Sequence, residues 1–223
     1  MDYQRITTIK NPLFAQMHAL MQKVFPAEEV LEFGAWEGPL QDQSLRVCVA
    51  VEGGEVVGAT EYRYLADLQV AMTDFTIIGK SGAGIGRFLW VHREADLKRM
   101  AAASGRPSLG MFAEVYDPGR VTELSFGGVP AMHPVVRREV LSHMGYRRLD
   151  FPYVHPSWQQ DGAAVTNLDL CFLPDNAERA DLPARLVADF LTRYYAILER
   201  KPDEWHEMVR RLHGLERIPL RPL

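Results

Sequence analysis

After a β-like run ending at Ile78, and before a helix-like run, stand Gly82-Ala83-Gly84-Ile85-Gly86-Arg87. Glycine at every second position lets a backbone turn tightly and come close to a ligand. A helix opening there points unpaired N–H groups and the positive end of its dipole at whatever lies in front. That is a seat for a phosphate or a diphosphate. The nucleotide loops of known spacing do not fit. A Walker pattern ending in Gly79-Lys80-Ser81 needs glycine where Asp74 stands. The pattern G-x-G-x-x-G needs glycine where Arg87 or Leu89 stands.

The elements that must hold such a loop can be read from periodicity. Arg5 to Ile9 is β-like, and Asn11-Pro12 reads as an N-cap with proline in the first turn of a helix carrying Leu13, Met17, Leu20, Met21 and Val24. Pro26 ends it, and a short helix over Ala27 to Phe33 and a loop from Gly34 to Pro39 follow. Leu45 to Val51 and Val56 to Tyr64 read as a hairpin, and Leu68 to Ile78 as the third strand of a meander. The helix behind the glycines runs to about Ala103, and Ser108 to Tyr116 is a strand, which makes a βαβ crossover and two parallel neighbours. A long connection over Arg120 to Pro134 leads to a helix from Val135 to Met144 closed by Gly145. Strands over Tyr146 to His155 and Val165 to Leu173 follow, with a turn at Gln159 to Gly162. Leu182 to Leu198 and Asp203 to Leu212 read as amphipathic helices.

Bulk properties narrow the partners. The chain has 223 residues, 47% hydrophobic and 24% charged, enough for one full core with an added subdomain. A net charge of −4 without a basic stripe argues against nucleic acid. No run approaches the length of a membrane helix, and no apolar signal core opens the chain. Cys48 and Cys171 lie in apolar runs without metal-ligand spacing, as buried free thiols of a reducing compartment would. A cytoplasmic protein is expected, with no metal.

The element order over residues 3 to 174, together with Ser81-Gly82-Ala83-Gly84-Ile85-Gly86, is similar to the GNAT (Gcn5-related N-acetyltransferase) superfamily. The acyl-CoA loop of that family reads Gln/Arg-x-x-Gly-x-Gly/Ala. Both family glycines are present, while Ser81 replaces Gln or Arg and so lacks one side-chain phosphate contact. Gly58 after Val56-Val57, Gly145-Tyr146 in place of Gly-Phe, and Tyr153, His155 and Pro156 beside a Tyr-x-Gln-Pro pattern resemble the family as well.

The resemblance implies an α/β (α+β) fold. Residues 1–175 would form a mixed, mostly antiparallel sheet with a central, splayed parallel pair flanked by helices. Residues 176–223 would be a helical extension that packs on the core, forms a homodimer contact or covers the acceptor. The resemblance also implies an acyl-CoA co-substrate, acetyl-CoA in the first instance. Its pantetheine arm would lie along the backbone of Phe75, Thr76, Ile77 and Ile78. Its diphosphate would sit on Gly82, Ala83, Gly84, Ile85, Gly86 and Arg87, with the Arg87 side chain adding a contact or facing solvent.

The implied reaction is direct attack of an amine on the thioester. An alkylamine has a pKa of about 10, so a proton must be removed and an oxyanion stabilised by a backbone N–H near Thr76 or Ile78. Glu114, the only carboxylate inside the apolar run Leu109 to Tyr116, is the candidate base or acceptor-binding group, or else a structural ion-pair partner. Glu61 either binds a cationic acceptor or belongs to a solvated strand face. The family's acid is a tyrosine at a position that is Leu141 here. Tyr153 is the substitute taken as catalytic, beside Tyr116, Ser142, His143 or solvent. Tyr116 and His155 are candidates to line an acceptor pocket. The implied activity is acyl transfer to a small-molecule amine; the alternative is a non-catalytic scaffold that binds CoA or a related nucleotide.

Overall fold

The computed structural model describes residues 1–25, 27–80, 82–120, 133–158 and 162–223. Pro26, Ser81, most of the connection read from Arg120 to Pro134, and turn residues 159–161 lie outside them. Two compact units emerge. The first holds the described residues of Met1–Met111 with His133, and the second holds those from Phe112 to Leu223 otherwise.

In the first unit, strands β1 (Asp2–Ile6), β2 (Leu45–Glu52), β3 (Glu55–Leu65) and β4 (Val70–Ile78) form an antiparallel sheet in that order. Helix α1 (Pro12–Val24) begins where Asn11 accepts a hydrogen bond from Leu13 N at 3.0 Å, with proline in the first turn, as the sequence implies. In place of a short helix and a loop, the next segment is three single 3-10 turns at Ala27–Glu29, Phe33–Trp36 and Pro39–Gln41. They are pinned by buried Trp36, whose Nε1 donates to Leu31 O at 3.1 Å. Helix α2 (Ile85–Ala103) lies on the other face. The sheet admits it closely at Gly58, where an added Cβ would stand 2.4 Å from Ile85 Cγ2 and 2.9 Å from Ile77 O. β5 (Gly110–Tyr116) starts in this unit, where Leu109 N donates to Gln69 O at 2.7 Å, so its first residues run parallel beside the start of β4.

One irregularity shapes the sheet. Glu61 pairs with Phe75, but Tyr62 pairs with Thr73, so Asp74 is an extra residue in β4. Such a bulge bends the strand and re-aims its side chain.

In the second unit the strand order is β5, β9 (Leu168–Pro174), β6 (Arg147–Leu149), β11 (Arg217–Pro222) and β10 (Asp181–Pro183). Helices α3 (Pro134–His143), α4 (Ala184–Tyr194) and α5 (Asp203–His213) complete it, with a hairpin of β7 (His155–Pro156) and β8 (Ala164–Val165). The long strand expected over Tyr146 to His155 is instead a three-residue β6 and the separate β7. The C-terminal segment contains the two expected helices but is not purely helical, because β10 and β11 extend the sheet beyond β6. Pro219 and Pro222 hide β11 from a reading of propensity. Its burial nonetheless alternates, with Ile218 and Leu220 inside, and Pro219 offers its carbonyl to Asp150 N at 2.9 Å. Phe190 of α4 stacks on Phe112 of β5 at 4.1 Å, and Phe112 also meets Phe172 of β9. Both cysteines are free and buried. Among the described residues no helix is long and apolar enough to cross a membrane, and no cluster of metal-ligating side chains occurs.

Candidate functional site

Glycines shape the mouth of α2. Gly84 is its N-cap with φ 71° and ψ 13°, and Gly82 also has a positive φ of 79°. Side chains rarely adopt this left-handed backbone. A Cβ on either glycine would meet nothing within 4 Å, so conformation and an open approach, rather than packing, call for glycine there. No side chain caps the helix, and no acidic residue occupies its first turn. The amides of Ile85, Gly86 and Arg87 therefore lack the acceptors that a capping side chain would supply. Gly86 has a different reason: its Cβ would stand 2.9 Å from Ile78 Cδ1. Ile85 is anchored with Ala50 and Leu89 in a small apolar cluster flanked by Ala83 and Ile78, while Arg87 is exposed.

The strand before the loop is held in place from within the sheet and from α2. Phe75 and Ile77 are buried, and Thr76 and Ile78 partly so. Buried Arg93 of α2 donates to the hydroxyls of Thr76 at 2.6 Å, Thr73 at 2.7 Å and Thr60 at 3.2 Å, and Thr60 donates to Phe75 O at 3.0 Å. The helix that opens at the glycines is thereby tied to the strand that precedes them.

In the second unit, Glu114 is the centre of a buried hydrogen-bond network. Its Oε1 accepts from the hydroxyls of Tyr153 and Tyr195 and from His155 Nδ1 at 3.3 Å. The Tyr195 oxygen lies 2.8 Å from His155 Nδ1 and 2.6 Å from the Tyr153 oxygen. Three of the residues taken from the sequence, Glu114, Tyr153 and His155, are thus brought together. All three donors meet Oε1, and the Glu114 side chain keeps 10% exposure. Burial alone would raise the carboxyl pKa. The charge of His155 and hydrogen bonds from His155, Tyr153 and Tyr195 outweigh it, so Glu114 titrates below its ordinary range. Burial, with Glu114 and Tyr153 beside it, pushes the Tyr195 hydroxyl well up and keeps it a donor. An ionised carboxylate with one oxygen free holds an ammonium firmly and accepts its proton only in passing.

Tyr116, two residues along β5, is buried at 7% exposure. His143 turns back onto its own helix, its Nδ1 at 2.7 Å from Glu139 O. Leu141 offers no hydroxyl. The network also includes Tyr195, which sequence reasoning did not single out. It lies 81 residues from Glu114, and no local pattern separates it from an ordinary core tyrosine.

Glu61 is not on a solvated strand face. It is 6% exposed, with Val47 and Phe75 as its cross-strand partners. Burial first, and then Asp74, the residue displaced by the bulge, raise the Glu61 carboxyl well above its ordinary range, against the lowering effect of Arg63. Asp74 was not singled out either, although it is a lone carboxylate inside the apolar run Met72 to Ile78, the same signal that marked Glu114.

No protein-family model matches this sequence, and no curated protein does. Solved structures do match. An acetyltransferase of the GNAT family from Bacteroides thetaiotaomicron superposes with a TM-score of 0.56 at 14% identity, over 87% of this chain and 96% of that one. An aminoglycoside 6'-N-acetyltransferase complexed with coenzyme A gives 0.50 at 16% identity, over 77% and 95%. A tandem GNAT protein from the clavulanic acid biosynthesis pathway gives 0.50 at 20% identity, over 68% of this chain and 45% of its own. The chain has the acyl-CoA N-acyltransferase fold of the GNAT superfamily.

Proposed function

We propose that this protein transfers an acyl group, acetyl in the first instance, from acyl-CoA to a primary amine of a small molecule. The observation that carries this reading is the glycine-shaped, uncapped mouth of α2 in a chain with the GNAT fold. There the amides of Ile85 to Arg87 would hold the diphosphate of coenzyme A. The amine nitrogen attacks the thioester carbonyl, the C–S bond breaks, and the thiolate of CoA leaves. Glu114 is the candidate to accept the amine's proton, and Tyr153, hydrogen-bonded to it, the candidate to protonate the thiolate and be reprotonated by Glu114. Two buried free thiols support a reducing, cytoplasmic setting. One similar structure is an aminoglycoside 6'-N-acetyltransferase, which supports a small-molecule amine acceptor.

Thiol release from acetyl-CoA across a panel of amines tests this. Release that falls at least about a hundredfold in Glu114→Gln, with acetyl-CoA affinity unchanged, is expected from the loss of a proton-transfer group. Leu141, in place of the family's tyrosine, favours the competing reading of a non-catalytic CoA-binding scaffold. Acetyl-CoA binding without release from any amine would establish that reading instead.

A further inference from the structure

Arg93 of α2 carries a positive charge into the first unit that the reaction above does not use. It is 4% exposed. Burying a guanidinium is costly, and an apolar side chain would join helix to sheet at less cost. What the guanidinium adds is direction. The two shortest bonds from its Nη1, to Thr76 at 2.6 Å and Thr73 at 2.7 Å, stand on either side of Asp74, the extra residue of β4. The bulge is thus held on both sides from α2. The same nitrogen donates to Thr60 at 3.2 Å. With a lone pair facing the cation, the Thr60 hydroxyl turns its single hydrogen to Phe75 O at 3.0 Å. A donor backed by a charge is stronger than a neutral one and polarises the groups in line with it.

The register decides which N–H feels this. Gly79 N donates to Val57 O at 2.9 Å, so Val57 and Gly79 are a pair that exchanges ladder bonds. By alternation, Ala59/Ile77 and Glu61/Phe75 are pairs of the same kind, while Gly58/Ile78 and Thr60/Thr76 are not. Phe75 O therefore faces β3. In a trans peptide the N–H of Thr76, on the other side of the same amide, faces away from β3. Drawing electron density toward Phe75 O makes that N–H a stronger donor.

We propose that Arg93 is a positioning residue for acyl transfer. Through Thr60 it polarises the Phe75–Thr76 peptide, and through Thr73 and Thr76 it fixes the strand that carries this peptide, so that Thr76 N–H is the donor to the oxyanion. This rests on the acyl-transfer reading, in which a backbone N–H near Thr76 or Ile78 meets the thioester carbonyl. As the amine adds to that carbonyl, its oxygen takes up negative charge. A strengthened N–H stabilises this state more than the neutral thioester, so it acts on kcat rather than on acetyl-CoA binding.

Phe75-Thr76 is the one Phe-Thr step in the sequence. Protein labelled with ¹³C at phenylalanine carbonyls and ¹⁵N in threonine therefore gives a single carbonyl–amide correlation in a magnetic-resonance spectrum. Thr60→Val, which keeps the shape and removes the hydroxyl, is expected to move both resonances upfield, as loss of a hydrogen bond to Phe75 O does. Arg93→Met is expected to move them the same way, and Thr60→Ser to restore them. Thr60→Val leaves the bonds from Arg93 to Thr73 and Thr76 in place, so the test does not depend on Arg93→Met folding. In thiol release from acetyl-CoA, with the amine of the panel that the wild type turns over fastest, Thr60→Val should lower kcat about tenfold and leave KM for acetyl-CoA within about threefold. Thr60→Ser should restore kcat. An unmoved resonance in Thr60→Val, or a moved one with wild-type kcat, overturns the proposal. A loss of kcat that Thr60→Ser does not restore overturns it as well, in favour of a structural role. A moved resonance in a protein that turns over no amine of the panel supports the polarised peptide and refutes acyl transfer instead.

Discussion

Tyr195→Phe isolates the contribution of the C-terminal segment to the Glu114 network. Phenylalanine keeps the ring of a residue that is fully buried and removes only the hydroxyl. That hydroxyl donates to Glu114 Oε1 at 2.5 Å and lies 2.8 Å from His155 Nδ1. A hydrogen bond to a charged group contributes about 1.5–3 kcal/mol, so the variant should lose about that much at neutral pH. The sign with pH follows from the carboxyl. Its folded pKa is depressed below the ordinary 4.5, so its stabilisation is present above that value and is lost as pH falls through the folded one. Removing a donor moves the folded pKa back toward the ordinary value. The deficit of Tyr195→Phe should therefore be full at neutral pH and shrink in acid. In a cycle with Glu114→Gln, the two substitutions should couple by about 1–2 kcal/mol, because an amide needs the hydroxyl less than a carboxylate does. Urea unfolding of the four proteins at neutral pH and in acid measures this. An equal deficit at both pH values, or strict additivity, would refute the view that Tyr195 acts through an ionised Glu114.

The remaining predictions concern the first unit. Gly84→Val places a β-branched residue in the left-handed region, at a cost of about 1–2 kcal/mol, and blocks the approach to the helix mouth; equilibrium dialysis should show acetyl-CoA affinity down at least tenfold on the order of that strain. Gly58→Ala forces Ile85 away from β3 and should destabilise by about 1–3 kcal/mol while also weakening acetyl-CoA binding, because the displaced residue opens α2; thermal unfolding and the same dialysis read both effects. Glu61→Gln should be more stable than wild type at neutral and alkaline pH. The raised Glu61 pKa means that its proton favours the fold below the ordinary value of 4.5, and this advantage fades as pH rises toward the folded one. Melting curves across that range, without a crossing in favour of the variant at higher pH, would contradict a raised Glu61 pKa.

How far the sequence reaches differs from element to element. The glycine loop was legible because its chemistry is local: the conformations of Gly82 and Gly84 and the start of α2 depend on residues within one turn. The meander β2–β3–β4 and the cap at Asn11 were legible for the same reason. Glu114 stood out as a lone charge in an apolar strand, and the need for a partner could be inferred without naming one. Its partners Tyr195 and His155 come from 81 and 41 positions away, and no periodicity encodes such a meeting.

Asp74 shows a different limit. Alternation along β4 assigns each residue to a face, but the bulge at Glu61/Tyr62 breaks the register, and one added residue reverses the facing of those beyond it. β11 was hidden by its prolines, whose missing donors argue against a strand unless carbonyls and neighbours make up the ladder. The amino-acid sequence by itself determined the elements with short-range causes, the conformation of the glycine loop and the isolation of its buried acids. Only tertiary structure decided which groups meet in a hydrogen bond, because burial and long-range register set the pKa and direction of a side chain, and neither is a property of its neighbours in the chain.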